Sequence, residues 1–186
     1  MQVIVIGASS GGPRALEEVL KALPANLSAI VIVVQHLPSQ FTSQMAERLK
    51  NIVLIPVSQM ENGEVLKSSH AYIVPGDFHF FITSPDRKAH LLAATGLQHP
   101  SIDMGFTSVA EHFGPDTIGV VLTGMGEDGV IGAKAIKQLG GTVIVQDEET
   151  SAIYGMPKAV QIAGFADEVL PLGKIAERLV ELVQHL

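Results

Sequence analysis

The chain has 186 residues, 47% of them hydrophobic and only 17% charged, which excludes a disordered segment and supplies one well-buried core. Its 12 basic and 19 acidic side chains leave a formal charge of −7, so a nucleic-acid backbone is excluded as the expected partner on electrostatic grounds. With no cysteine, thiol catalysis, cysteine-ligated metals and disulfides are excluded together. In chain order, the apolar run QVIVI predicts a strand and runs into the glycine-rich turn GASSGG. The segment PRALEEVLKALP follows, with Ala15, Leu16, Val19, Leu20 and Leu23 at helical spacing and Pro13 in the first turn, where its missing N–H costs nothing. A second strand, AIVIVV, completes a βαβ unit. Apart from the leading Gln2, both strands are apolar at every position, as a parallel sheet covered on both faces requires.

Shorter β-like pieces come next: VLIPVS, HAYIVP, FHFFIT and AHLLAA, with PGD and SPDRK as turn chemistry. FHFFIT and AHLLAA read as an antiparallel hairpin inserted at the sheet edge. SIDMGFTSVAEHFG has a helical pattern. IGVVLTG, the helical DGVIGAKAIKQLG and GTVIVQ form a second βαβ unit, and KIAERLVELVQHL closes the chain as a helix. No repeat, low-complexity tract or linker interrupts residues 1–186, so one domain is expected. The fold class is α/β, doubly wound, with a mostly parallel sheet, helices on both faces and a small antiparallel hairpin at the edge. Ligands in such folds meet the carboxyl ends of the strands. No basic-then-apolar leader opens the sequence and neither apolar run approaches a membrane span, so a soluble cytoplasmic protein without membrane insertion is expected.

The turn Gly7-Ala8-Ser9-Ser10-Gly11 fits the G-x-S-x-G pattern in the strand–turn–helix setting that lifts a serine hydroxyl above a sheet edge. A serine nucleophile needs a base, and the base needs an orienting acceptor. AIVIVVQH places His36 at the end of the second strand, and IGVVLTG leads through Met125 to Asp128, just before a helix. Each side chain has a purely structural reading as well: a satisfied polar group for His36, a helix cap for Asp128, Ser9 or Ser10. Their coincidence at strand ends is what points to chemistry.

A phosphate-binding reading competes, because IGASSGG also looks like the nucleotide loop of short-chain dehydrogenases and Tyr154 and Lys158 have the Y-x-x-x-K spacing of that family. Gly155, Met156 and Pro157 lie between the two, where a helix interior would not run, and the strand that should carry a ribose-binding acid ends in Gln35-His36. The dehydrogenase reading is therefore set aside.

Taken together, IGASSGG, VVQHLP, FTSQMAERL, AYIVPGDFH, HPSIDMGFTSVAEHFG, VVLTGMGEDG and IYGMPKAV resemble, in order and over essentially the whole chain, the catalytic domain of the CheB family of chemotaxis protein-glutamate methylesterases. The resemblance implies hydrolysis of glutamyl methyl esters on the cytoplasmic helices of chemoreceptors, often with deamidation of particular receptor glutamines. It implies Ser9 as nucleophile, His36 as base and Asp128 as the orienting carboxylate, with Ser10 supplying a hydroxyl where the family often has threonine. Ser10, Gly11 and Met125 are the implied oxyanion-hole and support positions, and the turn around Tyr154 is part of the wall. No cofactor is required, and His70, His79, His90, His99, His112 and His185 show no metal-ligand spacing, so no metal site is expected.

Two departures from the family stand out. CheB proteins usually carry an N-terminal phosphoacceptor receiver domain, whereas here Met1 runs straight into the first catalytic strand. The expectation is a catalytic domain without a receiver, either a stand-alone enzyme with a separate response-regulator partner or a fragment of a longer protein. The family also usually carries arginines before PSID. Residues 94–99 here carry none, and the nearest basic side chains are Arg87 and Lys88 on the hairpin turn. The alternatives are an esterase or amidase of the same fold with another substrate, and a non-catalytic module that binds a receptor helix.

Overall fold

The computed structural model describes residues 1–83, 86–95 and 99–184. Part of the SPDRK turn (Ser84 and Pro85), residues 96–98 of the arginine-free segment, and His185 lie outside the described residues.

The first βαβ unit forms as its pattern requires, from β1 (Gln2–Ala8), α1 (Gly12–Ala22) and β2 (Ala29–Gln35). Every residue of both strands is buried, so each contributes side chains to two core layers. The chain continues through α2 (Ser39–Lys50), β3 (Val57–Gln59), β4 (Glu64–Val65), β5 (His70–Ile73), β6 (Phe78–Thr83), β7 (Lys88–Ala93) and α3 (Ile102–Phe113). The second half holds β8 (Thr117–Val121), α4 (Val130–Gln138), β9 (Thr142–Gln146), α5 (Met156–Ile162), β10 (Glu168–Leu170) and α6 (Leu172–Gln184).

Seven strands form one parallel sheet in the order β10-β9-β8-β1-β2-β5-β3. One face is covered by α1, α2 and α6 through Leu16, Leu20, Leu49, Ile175 and Leu179. The other is covered by α3, α4 and α5 through Phe106, Val109, Ile136 and Val160. The chain leaves β1 toward β2 on one side and returns to pair β8 with β1 on the other. That reversal opens a crevice over the carboxyl ends of β1, β2 and β8, where doubly wound folds bind ligands.

The antiparallel hairpin forms as β6 and β7, but it pairs with the two-residue β4 in a separate three-stranded sheet and leaves β3 as the edge of the main sheet. Its burial alternates: Phe80 and Ile82 point inward while Phe81 is exposed. Such a strand needs cover on one face only, and α3 provides it, with Gly105 leaving room for the Phe80 ring. Phe106, fully buried, is the plug between α3 and the main sheet: a Cβ on Gly119 or Gly132 would meet its ring carbons at 3.3 and 3.1 Å. Phe106→Ala should therefore cost about 3–5 kcal/mol, read as a lowered urea midpoint with an unchanged slope.

Candidate active site

The turn after β1 is built by backbone bonds. Ser9 N–H donates to Thr123 C=O at 3.0 Å, and Gly12 N–H donates to Ser9 C=O at 2.8 Å. Gly11 sits at φ 80°, a conformation that favours glycine, and it is the N-cap of α1 with no side-chain hydrogen bond. Neither serine caps this helix. Ser9 is left half-buried at the crest, with Ser10 and Gly11 exposed beside it.

His36 continues the β1–β2 ladder, its N–H donating to Ala8 C=O at 3.0 Å. Its Nδ1 lies 3.2 Å from Ser9 Oγ and its Nε2 lies 2.8 Å from Asp128 Oδ2. A carboxylate can only accept, so the imidazole proton is assigned to Nε2 and the Nδ1 lone pair faces the serine hydroxyl. The ring is thus turned the opposite way from the chymotrypsin arrangement, in which Nε2 faces the serine. The His36 and Asp128 side chains are only 14% and 8% exposed, which shields the pair from solvent screening.

Asp128 does not cap its own helix. Its Oδ2 also accepts from Ile102 N–H at 2.8 Å and its Oδ1 from Asp103 N–H at 2.9 Å, so it caps α3. Asp103 returns the arrangement: its Oδ1 accepts from Gly129 N–H at 2.9 Å and Gly132 N–H at 2.7 Å, at the start of α4. Each carboxylate sits on the positive end of the other's helix. Burial alone pushes the Asp128 carboxyl up, but the bonds from His36, Ile102 and Asp103 outweigh it and hold it below the ordinary carboxylate range. Asp103 goes the other way: burial and the neighbouring Asp128 charge raise it despite its two backbone donors. Ser101 is the N-cap of α3, and its N–H donates to His79 Nδ1 at 3.0 Å. That bond requires a neutral His79, and burial pushes this imidazole down accordingly.

Met125 follows Gly124, where a Cβ would stand 2.7 Å from the Ser9 Cβ, so the Met125 backbone passes beside the nucleophile position. The N–H groups of Ser10, Gly11 and Met125 donate to no protein group among the described residues. A cleft of about 430 Å³ opens beside Asp128, lined by Ser101, Asp103, Glu127, Val130 and Ile131. Ile131 in its lining is 67% exposed, and Met125, in the loop after β8, is 70% exposed; neither Ser9 nor His36 lines this cleft. A larger cleft between α1 and α2, about 880 Å³, contains none of Ser9, His36 and Asp128. The Tyr154–Lys158 spacing does not form a helical face, because α5 begins only at Met156 and the Tyr154 hydroxyl bonds to Gln161. Among the described residues no group of three or more His, Cys, Asp or Glu side chains could hold a metal ion, and no helix is long and apolar enough to cross a membrane.

The sequence expectation brought Ser9, His36 and Asp128 together, and the structure places them in one hydrogen-bonded chain. It did not find Asp103 or His79. The signal for Asp103 was present in Ser101-Ile102-Asp103, a helix start with an acid in its first turn, but nothing local says which helix that acid serves.

Fold and site define a doubly wound α/β domain that brings Ser9, His36 and Asp128 into one hydrogen-bonded chain at the switch point of its sheet. The family model for CheB methylesterase matches residues 4–179. The chain is 45% identical over 188 residues to a protein of Moorella thermoacetica named protein-glutamate methylesterase/protein-glutamine glutaminase, covering 98% of this chain and 44% of that one. A Thermotoga maritima protein of the same name is 42% identical over 186 residues, covering 98% of this chain and 54% of its own length. The crystal structure of the Thermotoga maritima CheB methylesterase catalytic domain superposes with a TM-score of 0.92 at 42% identity, covering 97% of this chain and 98% of that one. The chain belongs to the CheB methylesterase family, and it spans about half the length of the curated relatives it matches.

The held carboxylate gives a pH prediction. Because the folded value of Asp128 lies below its unfolded one, its charge stabilises the native state fully above about pH 4, and that contribution is lost as pH falls through the folded value. Asp128→Asn should lower the urea midpoint at pH 7 and approach wild type at pH 3. An equal gap at both values would mean that the charge contributes nothing.

Proposed function

We propose that this domain is a serine hydrolase that removes methyl esters from glutamyl side chains on the cytoplasmic helices of chemoreceptors. The observation that carries the reading is the unbroken relay from Ser9 Oγ through the His36 ring to Asp128. As Ser9 Oγ attacks the ester carbon, His36 Nδ1 takes its proton and Asp128 stabilises the resulting imidazolium. The tetrahedral oxyanion would be met by the free N–H groups of Ser10, Gly11 and Met125, donors that count only once charge has developed on that oxygen. Collapse expels methoxide, which takes the proton from His36 and leaves as methanol. Water then attacks the glutamyl-Ser9 ester, His36 accepts a water proton, and the product carboxylate departs as Ser9 recovers its hydrogen.

The same steps with ammonia as leaving group would deamidate a glutamine, an activity present in the names of the relatives. No step calls for a metal or organic cofactor. Exposed Met125 and Ile131, the latter lining the cleft beside Asp128, offer apolar surface for the stem of the side chain and its neighbours. On this reading residues 1–186 form one catalytic domain acting in the cytoplasm, and a phosphoacceptor receiver, in the same protein or a separate one, is its regulatory partner. A second substrate class has one observation in its favour: residues 94–99 lack the cationic side chains that would hold an acidic receptor segment.

The test is methanol release from methyl-labelled chemoreceptor cytoplasmic fragments, wild type beside Ser9→Ala. Release by wild type, with a loss of about 10⁴-fold or more in Ser9→Ala, is expected. Turnover of simple esters without receptor demethylation would shift the substrate to another ester or amide. Silence on every ester would favour a binding module.

A further inference from the structure

Each of the three N–H groups named as oxyanion donors belongs to a peptide whose carbonyl is held from behind. In a planar trans peptide the C=O and the following N–H point in opposite directions, so fixing the oxygen aims the hydrogen. The Ser9 carbonyl, partner of the Ser10 N–H, accepts from Gln35 Nε2 at 2.9 Å and from Gly12 N–H at 2.8 Å. The Ser10 carbonyl, partner of the Gly11 N–H, lies 2.9 Å from the Thr123 hydroxyl, nearer than the other acceptor in reach, Ile153 C=O at 3.2 Å, and takes its single hydrogen. The Gly124 carbonyl, partner of the Met125 N–H, accepts from Gly155 N–H at 3.1 Å and Met156 N–H at 2.8 Å.

Two side chains recur in this scaffold. Thr123 Oγ1 also accepts from Ile153 N–H at 2.9 Å, and Gly124 N–H donates to Ile153 C=O at 3.0 Å, so the chain leading into Gly155 and Met156 hangs from Thr123 and its neighbour. A Cβ on Gly155 would stand 2.6 Å from the Gly124 oxygen, which explains the glycine there. Gln35 and Thr123 are buried, at 0% and 1% exposure. Among the described residues Gln35 leaves its own Oε1 without a partner, packed against Gly12. A buried unpaired acceptor is costly, and an aliphatic side chain at this wholly apolar strand's end would avoid it. What the glutamine adds is the Nε2 donor.

We infer that Gln35 and Thr123 are positioning residues of the proposed reaction, which aim the N–H groups of Ser10, Gly11 and Met125 at the developing oxyanion. Neither hydrogen-bonds to Ser9 Oγ, the His36 ring or Asp128; Gln35 Nε2 also donates to the His36 carbonyl at 3.2 Å, so it touches the backbone of the base but not its ring, and Thr123 lies wholly on the acceptor side of the chemistry. The inference rests on the hydrolase reading above.

The experiment compares wild type, Thr123→Val, Thr123→Ser, Gln35→Met and Ser9→Ala on p-nitrophenyl acetate, with a melting curve for each. For Thr123→Val and Gln35→Met, kcat should fall about tenfold to a hundredfold with KM within about twofold, since the donors are misaimed and not removed. Thr123→Ser should recover most of the rate. Affinity for phenylboronic acid, which forms a tetrahedral adduct on a serine, should fall in step with kcat/KM, while the acid limb of the pH–rate profile keeps its position. If Thr123→Val does not fold, Gln35→Met carries the test through the Ser10 N–H. Folded variants that keep wild-type kcat, or a loss that comes with a moved acid limb and unchanged boronate affinity, would overturn the inference while leaving the hydrolase reading intact. Wild type without Ser9-dependent turnover would overturn both.

Discussion

The site depends on where the Asp128 carboxylate finds its charge balance. Three donors converge on it: the His36 ring and the first two amides of α3. A buried carboxylate without such donors would take up a proton and lose its hold on the imidazole. With them it stays ionised, and it fixes at once the ring that faces Ser9 and the position of α3 against the loop after β8. Asp103 makes the matching contacts at the start of α4, so α3 and α4 are joined at their positive ends by an exchange of side chains. The hydrogen-bonded chain through Ser9, His36 and Asp128 is therefore part of how two helices are docked on the sheet.

Beneath that joint, β2 and β8, which flank β1, and β9, beyond β8, end in buried polar side chains: Gln35 at the end of β2, Thr123 just beyond β8 and Gln146 at the end of β9. Gln146 Oε1 accepts from Thr123 N–H at 2.8 Å, and its Nε2 donates to Thr150 C=O at 2.8 Å. At these carboxyl ends, polarity appears where the backbone leaves the ladder and its carbonyls need partners. The same need supplies the groups that shape the turn around Ser9. Rigidity of the turn and satisfaction of the strand ends are one set of bonds.

Much of this was legible in the chain. Both βαβ units follow from apolar runs that end in glycine-rich turns; Ser9 and His36 directly follow β1 and β2, and Asp128 lies in the loop that joins β8 to α4. What stayed hidden has physical causes. The third strand of the small sheet, β4, has two residues and no periodicity to read. The helix α5 begins in Gly155-Met156-Pro157, which reads as a breaker, yet the proline sits in the first turn, where its missing N–H has no helical partner to lose. Asp128 looked like a cap for the helix that follows it and proved to cap one that starts 26 residues earlier, a tertiary choice that no local pattern encodes. His79 was one histidine among 7, and only the fold brings it under Ser101.

The reversed imidazole has a chemical signature of its own. The nitrogen that faces the serine, and hence any acyl group arriving there, is Nδ1, the one nearer the main chain. Nε2 is covered by the carboxylate. An electrophile seated like a substrate, such as a haloketone, would find its lone pair on the π nitrogen, and acid hydrolysis of the labelled protein would release the π-substituted histidine. In the chymotrypsin arrangement the same reagent meets the τ nitrogen. The two isomers separate on an amino-acid analyser, so the hand of the ring is written into a small molecule that outlasts the fold.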